Sequence, residues 1–132
     1  NQAGALVHIY TDGSVHLNHG GIEMGQGTNT KIAQLVANEF GLTFEKIKIS
    51  STNTAKVPNT SASAASSTTD LNGAAALNAV SKIKENLEKF IKKKYNIKNI
   101  RNVVYKKGLI KFNKKSFLNL PLFISAAVNL CP

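Results

Sequence analysis

The sequence predicts a mixed α/β (α+β) fold of two hairpins and about three helices, on three observations. Apolar residues alternate on both sides of an Asp-Gly pair near the N-terminus. Two longer stretches repeat apolar residues at helical spacing. A second alternating pair flanks Lys106-Lys107-Gly108. No internal repeat is visible.

The first hairpin joins residues 5–9 to 15–17 through Thr11-Asp12-Gly13-Ser14, a strong turn signal between apolar alternations. With Asp12 and Gly13 as the two loop residues, Leu6, His8, Tyr10, Val15 and Leu17 share one face. Val7, Ile9 and His16 take the other, so His8 and His16 point apart, which argues against a shared metal. The stretch His19-Gly20-Gly21-Ile22-Glu23-Met24-Gly25-Gln26-Gly27 is too glycine-rich for a regular element. A helix is predicted from Thr28 as N-cap, with Ile32, Leu35, Val36 and Phe40 as its stripe. Gly41 stands where a left-handed terminating residue is expected. Residues 47–50 read as a short strand. Residues 50–69 then hold eleven Ser or Thr and show no period, and a connection of that length is functional or disordered.

Asp70 is expected to cap the next helix, whose inner stripe is Ala76, Val80, Ile83, Leu87 and Phe90 or Ile91. Lys89, Lys92, Lys93 and Lys94 crowd its C-terminal end, where the helix dipole favours cations. Residues 103–105 and 109–112 form the second hairpin. Residues 117–128 predict a last helix, with Pro121 early in it.

Composition narrows the function classes. Hydrophobic residues at 42% exclude collagen-like and fully disordered chains. The single cysteine, Cys131, excludes an internal disulfide and a structural cysteine–zinc site, and reads as a core thiol of an intact domain. No run approaches the ~18 apolar residues of a membrane helix. The net charge of +10 ordinarily points to nucleic acid or an anionic membrane. Its distribution is uneven, however. Residues 1–81 carry 4 basic against 5 acidic residues, whereas residues 82–132 carry 13 against 2. The alternative reading is therefore a basic nucleic-acid-binding module on residues 82–115. Lys92-Lys93-Lys94, Lys106-Lys107 and Lys114-Lys115 would contact phosphates, with the interleaved Tyr95, Tyr105, Phe112 and Phe117 stacking on bases. Against it, there is no RNP-like or zinc-finger pattern, and the aromatics fall where a hairpin and a helix need core residues.

Two loops could carry chemistry. Gly25-Gln26-Gly27 leads into a helix; its glycines permit close backbone approach, and a helix N-terminus offers N–H groups to anionic oxygens. It lacks the third Gly of a dinucleotide fingerprint and the Gly-Lys-Ser/Thr of a phosphate loop, and a sharp strand-to-helix turn explains it equally well. Residues 59–69 also enter a helix. Their small side chains leave room for a bulky ligand, and their hydroxyls can bond it; the plain alternative is a flexible Ser-rich linker. Two such loops suggest one shared polar ligand site.

The residues that carry these loops also carry a resemblance. Gly4-Ala5-Leu6-Val7-His8-Ile9-Tyr10-Thr11-Asp12-Gly13-Ser14-Val15 and Gly20-Gly21-Ile22-Glu23-Met24-Gly25-Gln26-Gly27 closely resemble the molybdenum-binding part of xanthine dehydrogenases and related aldehyde oxidases. So do Val57-Pro58-Asn59-Thr60-Ser61, Ala64-Ala65-Ser66 and Asp70-Leu71-Asn72-Gly73, in order and spacing, across residues 3 to about 95. The wording is most like bacterial molybdopterin-binding subunits. It implies a molybdopterin-binding segment at residues 1–95, with residues 96–132 a variable basic connection and short helix of the same larger domain.

The resemblance implies a molybdenum–molybdopterin cofactor, plain or as its cytosine dinucleotide. It further implies oxidative hydroxylation of purines such as hypoxanthine or xanthine, or of aldehydes. Electrons would leave through iron–sulfur clusters and FAD on other domains or subunits to NAD. The expected partners are the remainder of the molybdenum-binding subunit and the Fe–S/FAD subunit or domains, in the cytoplasm, with no nucleic acid and no membrane. By position in the matching motifs, the side-chain amide of Gln26 would bond the pterin, and Gly25 and Gly27 would admit the cofactor to the backbone. Ala65 would lie next to the molybdenum, where only a methyl fits, without being a side-chain ligand. Ser66, Ser67 and Thr68 would donate hydrogen bonds to the cofactor.

Ile22 stands where the family has Thr and Ala62 where it has Pro, which lowers the expected rigidity of both loops. The family's general-base glutamate falls beyond the last residue, and its substrate-binding Glu and Arg before the first. Glu23, in the glycine loop, does not match that base. The chain thus reads as a fragment with no catalytic residue of its own, expected to be inactive alone. His8, His16 and His19 read as hairpin histidines.

Overall fold

Among the described residues the chain forms β1 (Ala5–Ile9), β2 (Val15–His19), α1 (Thr28–Phe40), β3 (Ile47–Ile49), α2 (Thr68–Tyr95), β4 (Val104–Lys106), β5 (Leu109–Phe112) and β6 (Ser116–Asn119), in that order. The computed structural model describes residues 2–56, 60–98, 100, 102–112 and the backbone of 116–119. The mixed α/β class is as the sequence predicts, with two α-helices among these residues instead of about three.

The first sheet has the order β1-β2-β3. β1 and β2 are antiparallel, and β3 returns parallel to β2 across α1. Val7, Val15, Leu17 and Ile47 of this sheet pack against Ile32, Val36 and Phe40 of α1 and Ala76 and Val80 of α2. Both helices therefore bury their apolar stripes, at about 1.5–3 kcal/mol for each large side chain withdrawn from water.

The faces of β1 and β2 differ from the expected ones. Tyr10 N–H donates to the Ser14 carbonyl, and Gly13 N–H to the Tyr10 carbonyl, both at 2.9 Å. The loop is accordingly Thr11-Asp12-Gly13, closed by Gly13 at φ 81° and by an Asx turn in which Ser14 N–H donates to Asp12 Oδ1. One extra loop residue shifts the register by one and reverses every side chain of β1 relative to β2. Val7 pairs with Leu17 and Ile9 with Val15 toward the helices, and His8 pairs directly with His16 on the opposite face. The two histidines are thus cross-strand partners. Even so, no group of three or more metal-ligating side chains forms among the described residues.

α1 begins one residue earlier than an N-cap at Thr28 requires. Gly27, left-handed at φ 78°, is the cap, and Thr28 is a buried first residue. Its C-terminus is as predicted: Gly41 at φ 60° turns the chain, with Gly41 N–H donating to Asn38 O and Leu42 N–H to Ala37 O. α2 starts at Thr68, so Asp70 lies within its first turn and caps nothing; Ser67 precedes the helix without a side-chain cap. The expected stripe is correct, and α2 is long enough to serve two cores. Ala76 and Val80 face the first sheet, whereas Leu87 and Ile91 pack with Ile110 and Phe112 of the second.

The second sheet, β4-β5-β6, is antiparallel. Its first hairpin forms where predicted, but Lys106 ends β4 and pairs with Leu109, so the turn is the two residues Lys107 (φ 52°) and Gly108 (φ 71°), type I′, and not the three expected. The predicted last helix is corrected at its start, because residues 116–119 are strand β6, pairing Ile110 with Leu118 and Phe112 with Ser116. Short apolar runs satisfy either period, and the open edge of β5 decides this one. Residues 120–128 of that helix lie outside the described residues, as do Pro58, Asn59 and Cys131.

Candidate functional site

The two glycine- and serine-rich loops meet at the ends of β2 and α2. Gly20 follows β2 where a Cβ would stand 2.0 Å from Thr60 Oγ1, so only glycine lets the segments cross this closely. Gly20 N–H donates to Asn72 Oδ1 (3.2 Å), and Asn72 Nδ2 donates to the Thr68 carbonyl (2.9 Å). Ile22 N–H donates to Ser63 Oγ (3.0 Å), and Thr52 Oγ1 lies 2.8 Å from the Gly21 carbonyl as its donor. Asn72 is buried, and its single carboxamide fastens the first loop to the start of α2.

Beyond this fastening the first loop is bonded to itself. Gly25 and Gly27 adopt φ 97° and 78°, which a side chain rarely tolerates, and nothing lies within 4 Å of a Cβ at either position. Gln26 Oε1 accepts from Met24 N–H (2.6 Å), and its Nε2 donates to the Ile22 carbonyl (2.8 Å). Glu23 accepts from Gly25, Gly27 and Asn29 N–H, and the Asn29 and Gly27 amides above all hold its carboxyl below the ordinary glutamate value. Of the amides at the start of α1 expected to be open to an anion, that of Asn29 is thus occupied from within the chain, as is that of the cap residue Gly27.

In the second loop Ala65 and Ser66 are consecutive left-handed residues, at φ 52° and 59°. That conformation costs roughly 1–2 kcal/mol for each non-glycine residue and is typical of backbone held for a ligand. Ser67 turns inward, its hydroxyl donating to the Ala64 carbonyl (2.9 Å). Gln26, Ala65, Ser66 and Thr68 line one cleft of about 370 Å³, with Gly25 and Gly27 beside it. Four of the seven predicted site residues are therefore brought together around one space, two flank it, and Ser67 spends its hydroxyl on the loop. Thr28 and Lys31 also line the cleft and were missed. They sit three residues apart at the start of α1, so helical spacing could have put both on the loop face.

His19, at the end of β2, is buried. Its Nδ1 accepts from Gly21 N–H (3.1 Å), which leaves the proton on Nε2, and Nε2 has no partner. Burial pushes its pKa below the ordinary histidine value, opposed by the Asn29 side chain and the Glu23 charge. Thr60 Oγ1 is likewise buried without a partner. A larger cavity of about 670 Å³ opens between the two sheets, where Asp12, Lys46, Lys106 and Lys107 supply the charged lining. None of the predicted site residues reaches it.

The smaller cleft has the size of a small-molecule site and mixes small polar side chains with one cation, Lys31. Residues 1–127 match the family described as molybdopterin cofactor-binding domain. Among curated proteins the chain is 52% identical over 88 residues to xanthine dehydrogenase 1 of Arabidopsis thaliana, covering 67% of this chain and 6% of that protein. It is 56% identical over 93 residues to the xanthine dehydrogenase/oxidase of Felis catus, covering 70% and 7%. The chain thus spans less than a tenth of the length of these relatives. Among solved structures, a reconstituted CO dehydrogenase from Oligotropha carboxidovorans aligns with TM-score 0.84 and 24% identity, over 99% of this chain and 16% of that one. Quinoline 2-oxidoreductase from Pseudomonas putida 86 aligns with TM-score 0.79 and 21% identity, over 96% and 16%.

Proposed function

The chain belongs to the molybdopterin cofactor-binding domain of xanthine dehydrogenase-like molybdenum hydroxylases, and from that premise we propose that it holds a molybdenum–molybdopterin group in the cleft between its two loops. The observation that carries this reading is the convergence of Gln26 with Ala65, Ser66 and Thr68 on one space. The loop bonds of Gln26 use one N–H and one lone pair of its carboxamide, which leaves the second N–H and the second lone pair for an edge that needs both. The left-handed turn at Ala65 and Ser66 puts no side chain larger than a methyl at residue 65 and a hydroxyl beside it. Lys31 adds a positive charge for the anionic part of the group.

When bound, the group supplies oxidative hydroxylation of a carbon centre with oxygen from water, on a purine or an aldehyde. The chain's own residues bind and orient it: Gln26 by hydrogen bonds, Gly25 and Gly27 by close backbone approach, and Ala65 by leaving room beside the metal. Residues 1–95 form the binding segment and residues 96–132 a variable basic connection. The remainder of the subunit supplies the general base and substrate contacts, and Fe–S and FAD domains or subunits carry electrons to NAD, in the cytoplasm.

The test is to produce the chain in a host that makes the cofactor, desalt it, and measure molybdenum and pterin per chain. Wild type is expected to retain both and Gln26→Ala at least tenfold less, about 1.4 kcal/mol of binding or more. A wild-type chain that retains neither overturns the reading. Loaded wild-type chain is expected not to hydroxylate hypoxanthine, and turnover by it would overturn the assignment of the base to another segment.

A further inference from the structure

Glu23 is the single acidic residue between residues 20 and 27, and it is exposed. Its Oε1 accepts from Gly25 N–H (2.9 Å) and Gly27 N–H (3.0 Å), and its Oε2 from Asn29 N–H (2.8 Å). These three donors point one way for separate reasons. Gly25 and Gly27 are left-handed. Asn29 is the second residue of α1, and first-turn amides have no partner inside their helix. An N-cap side chain ordinarily satisfies such donors, but Gly27 has none, so a carboxylate reaches in from four residues upstream. The positive end of the helix dipole favours that charge.

A free anion approaching this helix end would meet a carboxylate already seated on its donors. We propose that Glu23 is a positioning residue: its carboxylate fixes the Gly25-Gln26-Gly27 turn and occupies the Gly25, Gly27 and Asn29 amides, so this turn reads its ligand through the neutral Gln26 amide and leaves any anionic part of it to Lys31. The inference rests on the cleft being the cofactor site. The other charged groups on neighbouring elements are His19 at the end of β2 and Lys31 on α1, and neither replaces the three amide contacts.

The experiment uses the 132-residue chain without cofactor, as wild type, Glu23→Gln and Glu23→Ala, followed by amide NMR. In wild type the Gly25, Gly27 and Asn29 amides are expected to move together on acidification, with one midpoint below the ordinary glutamate value. That movement should be absent from Glu23→Gln. At neutral pH, inorganic phosphate should leave the three amides of wild type in place and shift them in Glu23→Ala. Amides that titrate independently, or that phosphate moves equally in wild type and Glu23→Ala, would overturn the proposal. If either variant fails to fold, the wild-type titration alone decides it. Because no sample contains cofactor, a chain that never binds molybdopterin leaves this result standing, and a failed titration leaves cofactor retention to be judged separately.

Discussion

The two sheets solve the same packing problem with different materials. Around the first sheet lie all four buried polar residues among those described, Asn18, His19, Thr28 and Asn72. The second core is Leu87, Ile91, Ile110 and Phe112, with no buried polar member. Buried polar groups cost stability unless they are hydrogen-bonded, so a fold that keeps them in one half keeps them for what they hold in place. Here Asn72 and His19 hold the first loop, Asn72 fastening it to the start of α2, and Asn18 bonds Ser50 just after β3. The second half carries the excess charge and only packs.

The halves meet at Gly41, and this junction gives the largest expected effect. A Cβ there would lie 2.3 Å from the Tyr105 carbonyl oxygen, and φ is 60°. Lys84 of α2 braces the same spot, paired with Glu39 of α1 and 4.8 Å from the centre of the Tyr105 ring. Gly41→Val combines left-handed strain with a backbone clash, and should cost about 3 kcal/mol or more in urea denaturation. Hydrogen exchange should rise first in β4 and β5. A cost below about 1 kcal/mol would mean that the halves are not coupled here.

Asn72→Leu strikes the first half alone. It strands the buried Gly20 N–H, for about 2–3 kcal/mol. Amide protection in residues 20–27 should fall while that of β5 stays unchanged. Equal loss in both halves would show that Asn72 supports the whole fold and has no special hold on the loops.

Much of this division is legible in the residues. The second hairpin is readable as a hairpin from its Gly-containing turn between apolar runs, but its loop is Lys107-Gly108 and not the expected Lys106-Lys107-Gly108, because Lys106 pairs with Leu109. The first hairpin misleads because Thr11-Asp12-Gly13-Ser14 is compatible with loops of two or three residues, and that single residue decides which face is buried. The α2 stripe is readable over many turns, whereas residues 116–119 are too few to show a period and take their form from the edge of β5. At the cleft, small residues and glycines mark both loops in advance. The bond from Glu23 to Asn29 is invisible, since it spans six residues with no repeating pattern.

Acidification should separate the halves more gently. His19 has a folded-state pKa below its unfolded one, so the folded chain binds fewer protons. Its contribution is complete above the ordinary histidine value and is lost as pH falls toward the folded value. Glu23, also lowered, extends the loss below the ordinary glutamate value. Melting temperature should therefore drop between about pH 7 and pH 5, and His19→Gln should flatten that part of the profile. A wild-type profile flat over this range would contradict the buried neutral imidazole.

The smallest effect should come from the most conspicuous feature of the composition. Lys92, Lys93 and Lys94 lie exposed in the last turn of α2, where cations favour the helix end by about 0.3–1 kcal/mol at low salt. Replacing all three by Gln should lower stability by no more than about 1 kcal/mol, and by less as salt screens the dipole. Molybdenum retention should not change, because none of the three lines the cleft. The same variant weighs the nucleic-acid alternative: phosphate contacts would make wild type bind duplex DNA at about 0.15 M salt, with the variant losing that binding steeply. Charge that only solvates a helix end gives no retention at that salt in either protein, so one column run separates a basic surface that recognises from one that merely dissolves.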